Sequence, residues 1–478
     1  MAEADVKLNR REVLRSGLSA FGFLALDGLP VFSAPDGWKP TGKPNLVFGA
    51  LSDTHLRVTY DRKSPHRDFP LAYFRKALEY FKRRNIDALV HCGDLAHRGI
   101  VRELEFHREI FDEVFGKGKG PVKLFVAGNH EWFGESVESG LCAKRLYPDP
   151  VERAKNTLCG DFPGQWERIL GERYEECWHR EVKGCHFFGH HWGVDETKFL
   201  DFVKSEAVAS QLDGTKPIFL LSHNYLHHRF CRLLAKDYPN AIGFFGHYHQ
   251  SNADWRTIYY ENLGGFFPQI ELGACRADGG IESFGNLGGT GKESFLKDRE
   301  SADEAGQMQG LASRQGMVVN VYDDMVVFER HEFTEGGKLG PDWVLPLGQF
   351  SPHPFSREEL KKAIGAPEFQ PKAKLEVVKE NSASLRLCVR IPLADGNPDS
   401  RVFAYDVVVM GDDPKKRLFK SVYFPGRNRG VGREPDHGIT TMDIPKSELP
   451  AGKKLTVAVR PLSSLGTKGK AIATTWKV

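Results

Sequence analysis

Gly246-His247-Tyr248-His249 follows directly on the apolar run 241–245, whose composition is typical of a strand buried on both faces. Packing gives no reason for two imidazoles placed two residues apart at the end of such a strand. Imidazole nitrogens are the commonest metal ligands among protein side chains. We therefore interpret His247 and His249 as metal ligands.

Four more polar blocks each follow a hydrophobic run nearer to the amino terminus. A single block such as Gly-Asp arises often by chance, whereas five in order at strand ends make a specific pattern. We therefore treat the five as one site rather than as unrelated core or surface polar residues. The four further blocks are Asp53-Thr54-His55, Gly93-Asp94, Gly128-Asn129-His130-Glu131 and Ser222-His223.

The order of the five blocks resembles that of the calcineurin-like metallophosphoesterases, and the resemblance covers roughly residues 44–350. It implies an α/β fold, a four-layer α/β/β/α sandwich in which helices flank two sheets. It also implies a dinuclear metal centre in which Asp94 bridges the two ions. One ion is assigned to Asp53, His55, Asp94 and His249, and the other to Asp94, Asn129, His223 and His247.

The resemblance further implies hydrolysis of a phosphate ester by a bridging hydroxide, with Asp94 and His130 as the catalytic residues. His130 matches the position that faces the leaving group, where it can donate a proton or stabilise charge. The oxygen and nitrogen donors suit two divalent ions and do not distinguish Mn, Fe, Zn, Co and Ni. Purple acid phosphatases have a tyrosine where this chain has His97, so a tyrosinate-bound ferric ion is not expected.

The expected substrate is a small phosphomonoester or phosphodiester, and the sequence leaves the choice between the two open. The formal net charge of +3, from 66 basic and 63 acidic residues, gives no sign of a nucleic-acid partner. The alternative function is a phosphate- or glycan-binding protein that keeps the phosphoesterase scaffold without turnover. Because all five blocks are intact, we favour the enzyme.

The hydrophobic runs predict the order of strands and helices around the site. Three strands of one parallel sheet are expected first, with helices between them, at 45–51, 71–84, 88–92, 101–115 and 122–127. The same rhythm then resumes with strands and one helix, at 185–189, 197–210, 217–222 and 241–245. Four short β-rich segments are assigned to a second sheet packed on the first, at 257–260, 268–272, 317–321 and 325–328.

Two segments interrupt this rhythm. Residues 133–180 form an insertion, because Asn129 and His223 lie further apart than one strand and one helix require. We expect the insertion to rise over the site and shape substrate access, and the alternative is a helical decoration on a remote face. The Gly288-Gly289-Thr290-Gly291-Lys292 stretch lacks residues that a phosphate-binding loop needs, so we interpret it as a mobile loop. Five further histidines fill no block and are interpreted as packed or surface residues: His186, His190, His191, His227 and His228.

The amino-terminal residues 1–34 have the features of an export signal. Arg10-Arg11 precedes a run of apolar and small residues that is too short to span a bilayer, and the whole resembles a bacterial twin-arginine signal. We therefore expect an exported protein, periplasmic or extracellular, with no membrane span beyond the signal. An amphipathic or buried amino-terminal helix is the alternative.

At 478 residues the chain is too long for one core, and a second domain is expected after the metallophosphoesterase domain. Residues 351–372 have the composition of a linker with a short helix. From 373 to 478 apolar and polar residues alternate between Gly and Pro turns, which predicts a small all-β sandwich. This region loosely resembles a fibronectin type III module, has no catalytic constellation, and its partner is unknown.

Overall fold

The computed structural model describes residues 40–57, 69–135, 147–275, 314–333, 336–369, 373–379, 386–391, 402–413, 415–424 and 440–477. The segment interpreted as an export signal and the Gly288–Lys292 stretch lie outside these residues. Within them, no helix combines the length and the apolar character that a membrane span needs.

The first sheet is built around three parallel strands: β1 (Leu46–Leu51), β2 (Ala88–Cys92) and β3 (Val122–Val126). Helices α1 (Phe69–Arg83) and α2 (Val101–Phe115) connect them. The sequence predicts all five elements to within two residues at each end, because each strand is a short apolar run and each helix has an apolar stripe. Phe74, Leu78 and Phe81 form that stripe on α1 and are fully buried.

Four later strands extend the same sheet: β10 (Gln315–Val321), β11 (Met325–Glu332), β12 (Gly337–Lys338) and β13 (Trp343–Pro346). The assignment of 317–321 and 325–328 to the second sheet is therefore wrong. β10 pairs antiparallel with β1, where Phe48 stands opposite Val319 and both are buried. Local sequence cannot choose between two sheets whose inner faces are equally apolar.

The second sheet has the strand order β4-β5-β6-β7-β9-β8. Its strands are β4 (Cys177–Val182), β5 (Cys185–His190), β6 (Ile218–Leu221), β7 (Ile242–Phe245), β8 (Ile258–Tyr259) and β9 (Gln269–Glu271). Strands β5, β6, β7 and β9 are parallel, so their carboxyl ends share one edge. The insertion contributes α3 (Pro150–Asn156) and α4 (Phe162–Leu170), and α5 (Glu196–Ala209) and α6 (His228–Leu234) follow.

The main core lies between the facing sides of the two sheets. Phe48 on the first sheet meets Phe187, Phe219 and Phe244 on the second edge to face, at centroid distances of 5.4, 5.4 and 5.8 Å. Each fully buried phenylalanine contributes about 1.5–3 kcal/mol to folding. This interlocked cluster fixes one sheet against the other, and hence the loops at their edges.

A β-rich region follows helix α7 (Arg357–Ile364). Its strands are antiparallel: β14 (Glu376–Lys379), β15 (Arg386–Ile391) and β18 (Thr440–Pro445) form one sheet, and β16 (Ala404–Met410), β17 (Arg417–Tyr423), β19 (Lys454–Leu462) and β20 (Ile472–Lys477) form another. Both sheets contribute to one apolar cluster that includes Tyr405, Ile444 and Val457. Strand β19 continues as far as Leu462, and Pro461 is paired with Tyr405 near its end.

Candidate metal centre

The five polar blocks meet where the loops after β1, β2, β3, β6 and β7 converge. Among the described residues other than glycine, eight have a positive φ. Five of these eight belong to the polar blocks. A left-handed backbone at such residues costs of order 1–3 kcal/mol each and persists only where the surroundings enforce it. The strain is thus concentrated at the predicted ligands Asp53, His55, Asp94, His247 and His249, with φ of 53°, 43°, 56°, 73° and 56°.

Glycines in the blocks allow the loops to approach one another closely. A Cβ at Gly246 would collide with Ser52 Oγ and an Asp53 carboxylate oxygen. One at Gly128 would collide with Asp94 Oδ1. Any side chain at either position would push two ligand-bearing loops apart, which explains why these blocks need glycine.

The first predicted ligand group comes together in the structure. His249 Nε2 lies 3.0 Å from Asp53 Oδ1 and 3.2 Å from His55 Nε2. His55 Nε2 in turn lies 3.4 Å from Asp94 Oδ2. All four residues therefore place one donor atom each around a common point, and the four are recognisable as a candidate metal site.

The second predicted group shares Asp94 with the first. Asp94 Oδ2 lies 3.3 Å from His223 Nε2, and His223 Nε2 lies 2.9 Å from Asn129 Oδ1. His247 Nδ1 lies 3.1 Å from the same Asn129 oxygen and 3.3 Å from His223 Nε2. One carboxylate oxygen thus faces both groups, which is the arrangement that a bridging ligand requires.

The donor spacing fits a small transition-metal ion. Bonds of about 2.1 Å place neighbouring ligands roughly 3.0 Å apart in octahedral and 3.4 Å apart in tetrahedral geometry. The separations between donors in the two groups, 2.9 to 3.5 Å, match these edges. Two imidazole nitrogens and two carboxylates pointed at one place need a shared positive charge, and a cation supplies it.

Contacts behind the ligands fix their orientation. His223 Nδ1 donates to the carbonyl of Cys92 at 2.7 Å, so Nε2 faces the site. Asp53 Oδ2 accepts from the N–H of His247 at 3.0 Å, and Asp94 Oδ1 accepts from the N–H of His130 at 2.9 Å. The second oxygen of each aspartate is thereby left to face the predicted ions.

The electrostatics of the site favour cations. Burial raises the pKa of Asp53, but the neighbouring histidines, led by His249, together hold this pKa well below its usual value. Against the effect of burial, Asp94 and Asp53 raise the pKa of His223 to about 10. Two buried carboxylates therefore hold a proton on an imidazole, and a metal ion would take the place of that proton.

Residues 46–251 match the family model described as calcineurin-like phosphoesterase. They form a calcineurin-like metallophosphoesterase domain. Members of this family depend on two metal ions, and the candidate His and Asp group above lies within the matched residues. No curated protein matches the chain.

Several solved structures are similar to this chain at low identity. A dimetal phosphatase from Danio rerio is 12% identical with a TM-score of 0.36, covering 64% of this chain and 100% of its own. A purple acid phosphatase from yellow lupin seeds is 14% identical with a TM-score of 0.39, and the match covers 63% of this chain and 55% of the phosphatase chain. Vps29 of Entamoeba histolytica, solved with Zn²⁺, is 10% identical with a TM-score of 0.25, covering 63% and 100%.

His130 of the metallophosphoesterase domain borders the first ligand group. Its Nδ1 donates to the carbonyl of His97 at 2.6 Å, so its Nε2 faces the site, 3.9 Å from Asp94 Oδ2. Its ring meets that of His55 edge to face at 4.4 Å and lies parallel to that of His97 at 5.5 Å. The side chain is 23% exposed, so Nε2 can reach a bound molecule.

Glu131, the last residue of its block, binds backbone N–H groups of two loops. It is fully buried, and its carboxylate accepts from the N–H groups of Asp94, Ala96 and Gly128 at 3.0, 2.7 and 2.6 Å. Burial and the neighbouring Asp94 raise the pKa of Glu131 to about 8, while the N–H donors act in the opposite direction. Its carboxylate ties the loop after β2 to the loop after β3.

Glu271 plays a comparable part on the second sheet, and nothing in the sequence indicates it. It is fully buried at the end of β9, and its Oε1 accepts from the N–H of Gln250 at 2.8 Å. Burial raises the pKa of Glu271 well above its ordinary value. The contact holds the residue that follows the ligand His249.

Aromatic residues that are not proposed as ligands also flank the site. The ring of Trp192 lies 5.4 Å from that of His247 and 5.6 Å from that of His223. Tyr248 lies 5.1 Å from His247 and donates from its hydroxyl to Asn224 at 3.0 Å. No motif marks Trp192, and its only sequence signal is its position just past the end of β5.

The five histidines interpreted as packed or surface residues have surroundings outside the two ligand groups. His191 Nδ1 accepts from the N–H of Ala127 at 2.9 Å, and His190 packs on Phe199 at 4.4 Å. Burial lowers the pKa of His190 to about 4 and that of His191 to about 3, so both are neutral. Of the other three, His186 contacts His179, His227 contacts Glu196, and His228 packs on Phe266.

The described part of the insertion lies beside the site. Leu158 donates its N–H to Gly99 at 2.7 Å, and Phe162 packs on Trp132 at 4.3 Å. Phe162 and Trp166 also join the cluster formed by α1, α2 and the first sheet. These contacts hold residues 147–180 against the loops after β2 and β3, and residues 136–146 lie outside the described part of the chain.

Proposed function

We propose that this chain hydrolyses phosphate esters at a centre of two divalent cations. The proposed ligands are Asp53, His55, Asp94 and His249 for one cation and Asp94, Asn129, His223 and His247 for the other. The observation that carries the proposal is the position of Asp94 Oδ2, which lies 3.4 Å from His55 Nε2 and 3.3 Å from His223 Nε2. One oxygen placed equally between two imidazole groups is suited to bridge two ions.

Two cations held there would supply a hydroxide nucleophile near neutral pH and would neutralise the phosphoryl oxygens. Two divalent cations would bring more positive charge than the negative charge of the two aspartates. The loaded site would therefore be positive and would attract an anionic phosphate. Asp53 and Asp94 are held by backbone N–H donors from His247 and His130. The ligand frame is therefore rigid before substrate binds.

His130 is proposed to act on the leaving group. Because Nδ1 donates to the His97 carbonyl, Nε2 is the nitrogen that can donate a proton to the departing oxygen or stabilise its charge. The His97 carbonyl would also stabilise the protonated ring. The ring lies against His55, at the edge of the first ligand group.

A comparison of two substrates tests this proposal. The full-length, Mn-loaded protein is assayed on an aryl phosphate monoester and on the matching diester, beside Asp94→Ala. Turnover that falls at least 10³-fold in Asp94→Ala supports the two-cation site, and equal turnover contradicts it. Binding of phosphate without turnover on either ester would favour the rival function, a phosphate- or glycan-binding protein.

The remaining assignments are also proposals. We propose a four-layer α/β/β/α arrangement for residues 44–350, with the linker at 351–372 and a non-catalytic fibronectin type III-like module at 373–478. The antiparallel sheets of three and four strands in the last region support the module. We propose export through a twin-arginine signal at 1–34, which amino-terminal sequencing of the protein recovered from the periplasm or medium would test.

A further inference from the structure

A cavity of about 480 Å³ is lined in part by residues next in sequence to the proposed metal ligands. Tyr248, one of its lining residues, stands between His247 and His249. Tyr225, another, is the second residue after His223. One wall of the cavity therefore belongs to the loops that carry His223, His247 and His249.

Three separate parts of the chain form its walls. Phe355 and Leu360 come from the segment around α7, and Leu465 comes from the turn after β19. The N–H of Trp255 donates to Ser464 Oγ at 3.1 Å, and Leu465 is only 4% exposed within the core between the two sheets. The C-terminal β-rich region thus contributes a fixed wall to a cavity that begins at the ligand loops.

One wall is a set of ordered tyrosine rings. Tyr225 lies nearly parallel to Tyr248 at 5.9 Å and to Tyr259 at 5.8 Å, with interplanar angles of 25° and 28°. Hydrogen bonds hold the rings of Tyr248 and Tyr259 in place. The Tyr248 hydroxyl donates to Asn224 Oδ1 at 3.0 Å, and Gln250 Nε2 donates to the Tyr259 hydroxyl at 3.3 Å. Rings fixed in this way offer faces on which a planar ring can stack.

The charges of the lining balance. Arg256 Nε donates to Asp254 Oδ2 at 2.8 Å, and Glu261 Oε1 accepts from the backbone N–H of Arg357 at 2.9 Å. The lining contains two acidic and two basic residues and has no net charge. It therefore gives no advantage to a second phosphate or to another anionic group, and it suits an uncharged one.

We propose that this cavity binds the organic part of the phosphate ester, and that this part carries an uncharged planar ring. The volume exceeds that of a single six-membered ring and lies within the range of small-molecule sites. The C-terminal region then takes part in substrate selection by supplying Leu465. The placement of the phosphate rests on the proposed phosphoesterase function, whereas binding of the ring does not.

Binding of a ring without phosphate tests the cavity alone. 2-Naphthylmethanol is titrated into the full-length, metal-loaded protein by calorimetry, with one site expected. Tyr259→Leu removes a stacking face and is expected to weaken binding about tenfold. Asn262→Trp places a bulky ring at an exposed position of the lining, which leaves the fold intact, and is expected to abolish binding.

Phe419→Leu is the matched control, because it also exchanges an aromatic ring for leucine, at a residue 46% exposed on the C-terminal region. It should leave the affinity unchanged. Equal affinity in wild type, Tyr259→Leu and Asn262→Trp, or no binding to the wild type, overturns the proposal. Thermal unfolding of each variant shows that it is folded.

Kinetics separate this proposal from the phosphoesterase proposal. 2-Naphthylmethyl phosphate and ethyl phosphate have similar leaving groups but differ in the ring, and Tyr259→Leu should raise KM about tenfold for the first ester only. Ring binding without hydrolysis of either ester would support the cavity and contradict the phosphoesterase. Hydrolysis with equal KM for both esters in the wild type would support the phosphoesterase and overturn the cavity.

Discussion

Glu131→Gln changes the residue that ties two ligand-bearing loops together. The carboxylate accepts three backbone N–H groups at 2.6 to 3.0 Å, and the side chain is fully buried. Glutamine has nearly the same shape but offers one oxygen, and its NH₂ group faces at least one of the same donors. The substitution therefore removes an acceptor without creating a cavity.

The least costly orientation places the amide oxygen near Asp94 and Gly128 and the NH₂ group near the N–H of Ala96. One buried donor then loses its acceptor, and wherever Glu131 is ionised two charge-assisted hydrogen bonds become neutral. A hydrogen bond to a charged group contributes about 1.5–3 kcal/mol, and residues that orient metal ligands typically account for a 10- to 100-fold difference in metal affinity. We expect Mn²⁺ to bind Glu131→Gln about 10- to 100-fold more weakly than the wild type.

Calorimetric titration with Mn²⁺ at one fixed pH measures this difference. Because bound metal stabilises the folded state by mass action, saturating Mn²⁺ should also stabilise the variant by about 1.4–2.7 kcal/mol less than the wild type. Glu448→Gln is the matched control, an identical exchange at an exposed residue paired with Lys420. Equal Mn²⁺ affinity in Glu131→Gln and wild type would refute the role of this carboxylate in holding the loops.

Three further predictions concern catalysis and stability. His130→Ala should lower kcat most for esters with poor leaving groups, by about 10²- to 10⁴-fold, and an equal loss for good and poor leaving groups would leave only charge stabilisation. Gly246→Ala should weaken metal binding, because its methyl group collides with the Asp53 loop, and unchanged Mn²⁺ affinity by calorimetry would argue against that clash. His107→Leu should raise the free energy of unfolding, because both ring nitrogens are buried without a partner in the described part of the chain. Burial also lowers the pKa of His107 well below 6.5, so the unfolded chain takes up a proton that the folded one does not. The free energy of unfolding of the wild type therefore decreases as pH falls below 6.5. Urea unfolding should show that this decrease is larger in the wild type than in His107→Leu, by up to about 1.4 kcal/mol per pH unit.

Much of the fold around the site follows from local sequence. The runs that become β1, β2, β3, β6 and β7 are short and apolar, and each ends in a polar block. Because parallel strands bring their carboxyl ends to one edge, the blocks were expected to converge, and Asp53, Asp94 and His249 do meet. Strand order, by contrast, depends on pairing between distant segments.

The misassignment of β10 and β11 concerns such a distant pairing. β10 has the apolar composition that either sheet accepts, and only its partner β1 decides where it lies. Helix α6 begins with His228-Arg229, which gives no apolar signal, and Phe230 and Leu234 pack in the core beneath it. Glu131 is part of a recognised block, yet its contacts are to backbone N–H groups of two loops that sequence alone cannot place.

Residues beside the ligands were the least predictable part of the site. Trp192 belongs to no block, and it approaches the centre only because β5 ends at the same edge as β6 and β7. Leu465 reaches the adjoining cavity from the far end of the chain. Such contacts appear when the whole chain is folded, and no local pattern announces them.

The measurement that tests the two-cation centre most directly is a titration of metal-free, full-length protein with Mn²⁺ at protein concentrations well above the dissociation constant. Hydrolysis of an aryl phosphate is followed after each addition, and bound metal is counted by elemental analysis. We expect activity to rise until two ions are bound per chain and to stay negligible in Asp94→Ala. Full activity with one ion, or none with two ions bound, would contradict the proposed mechanism.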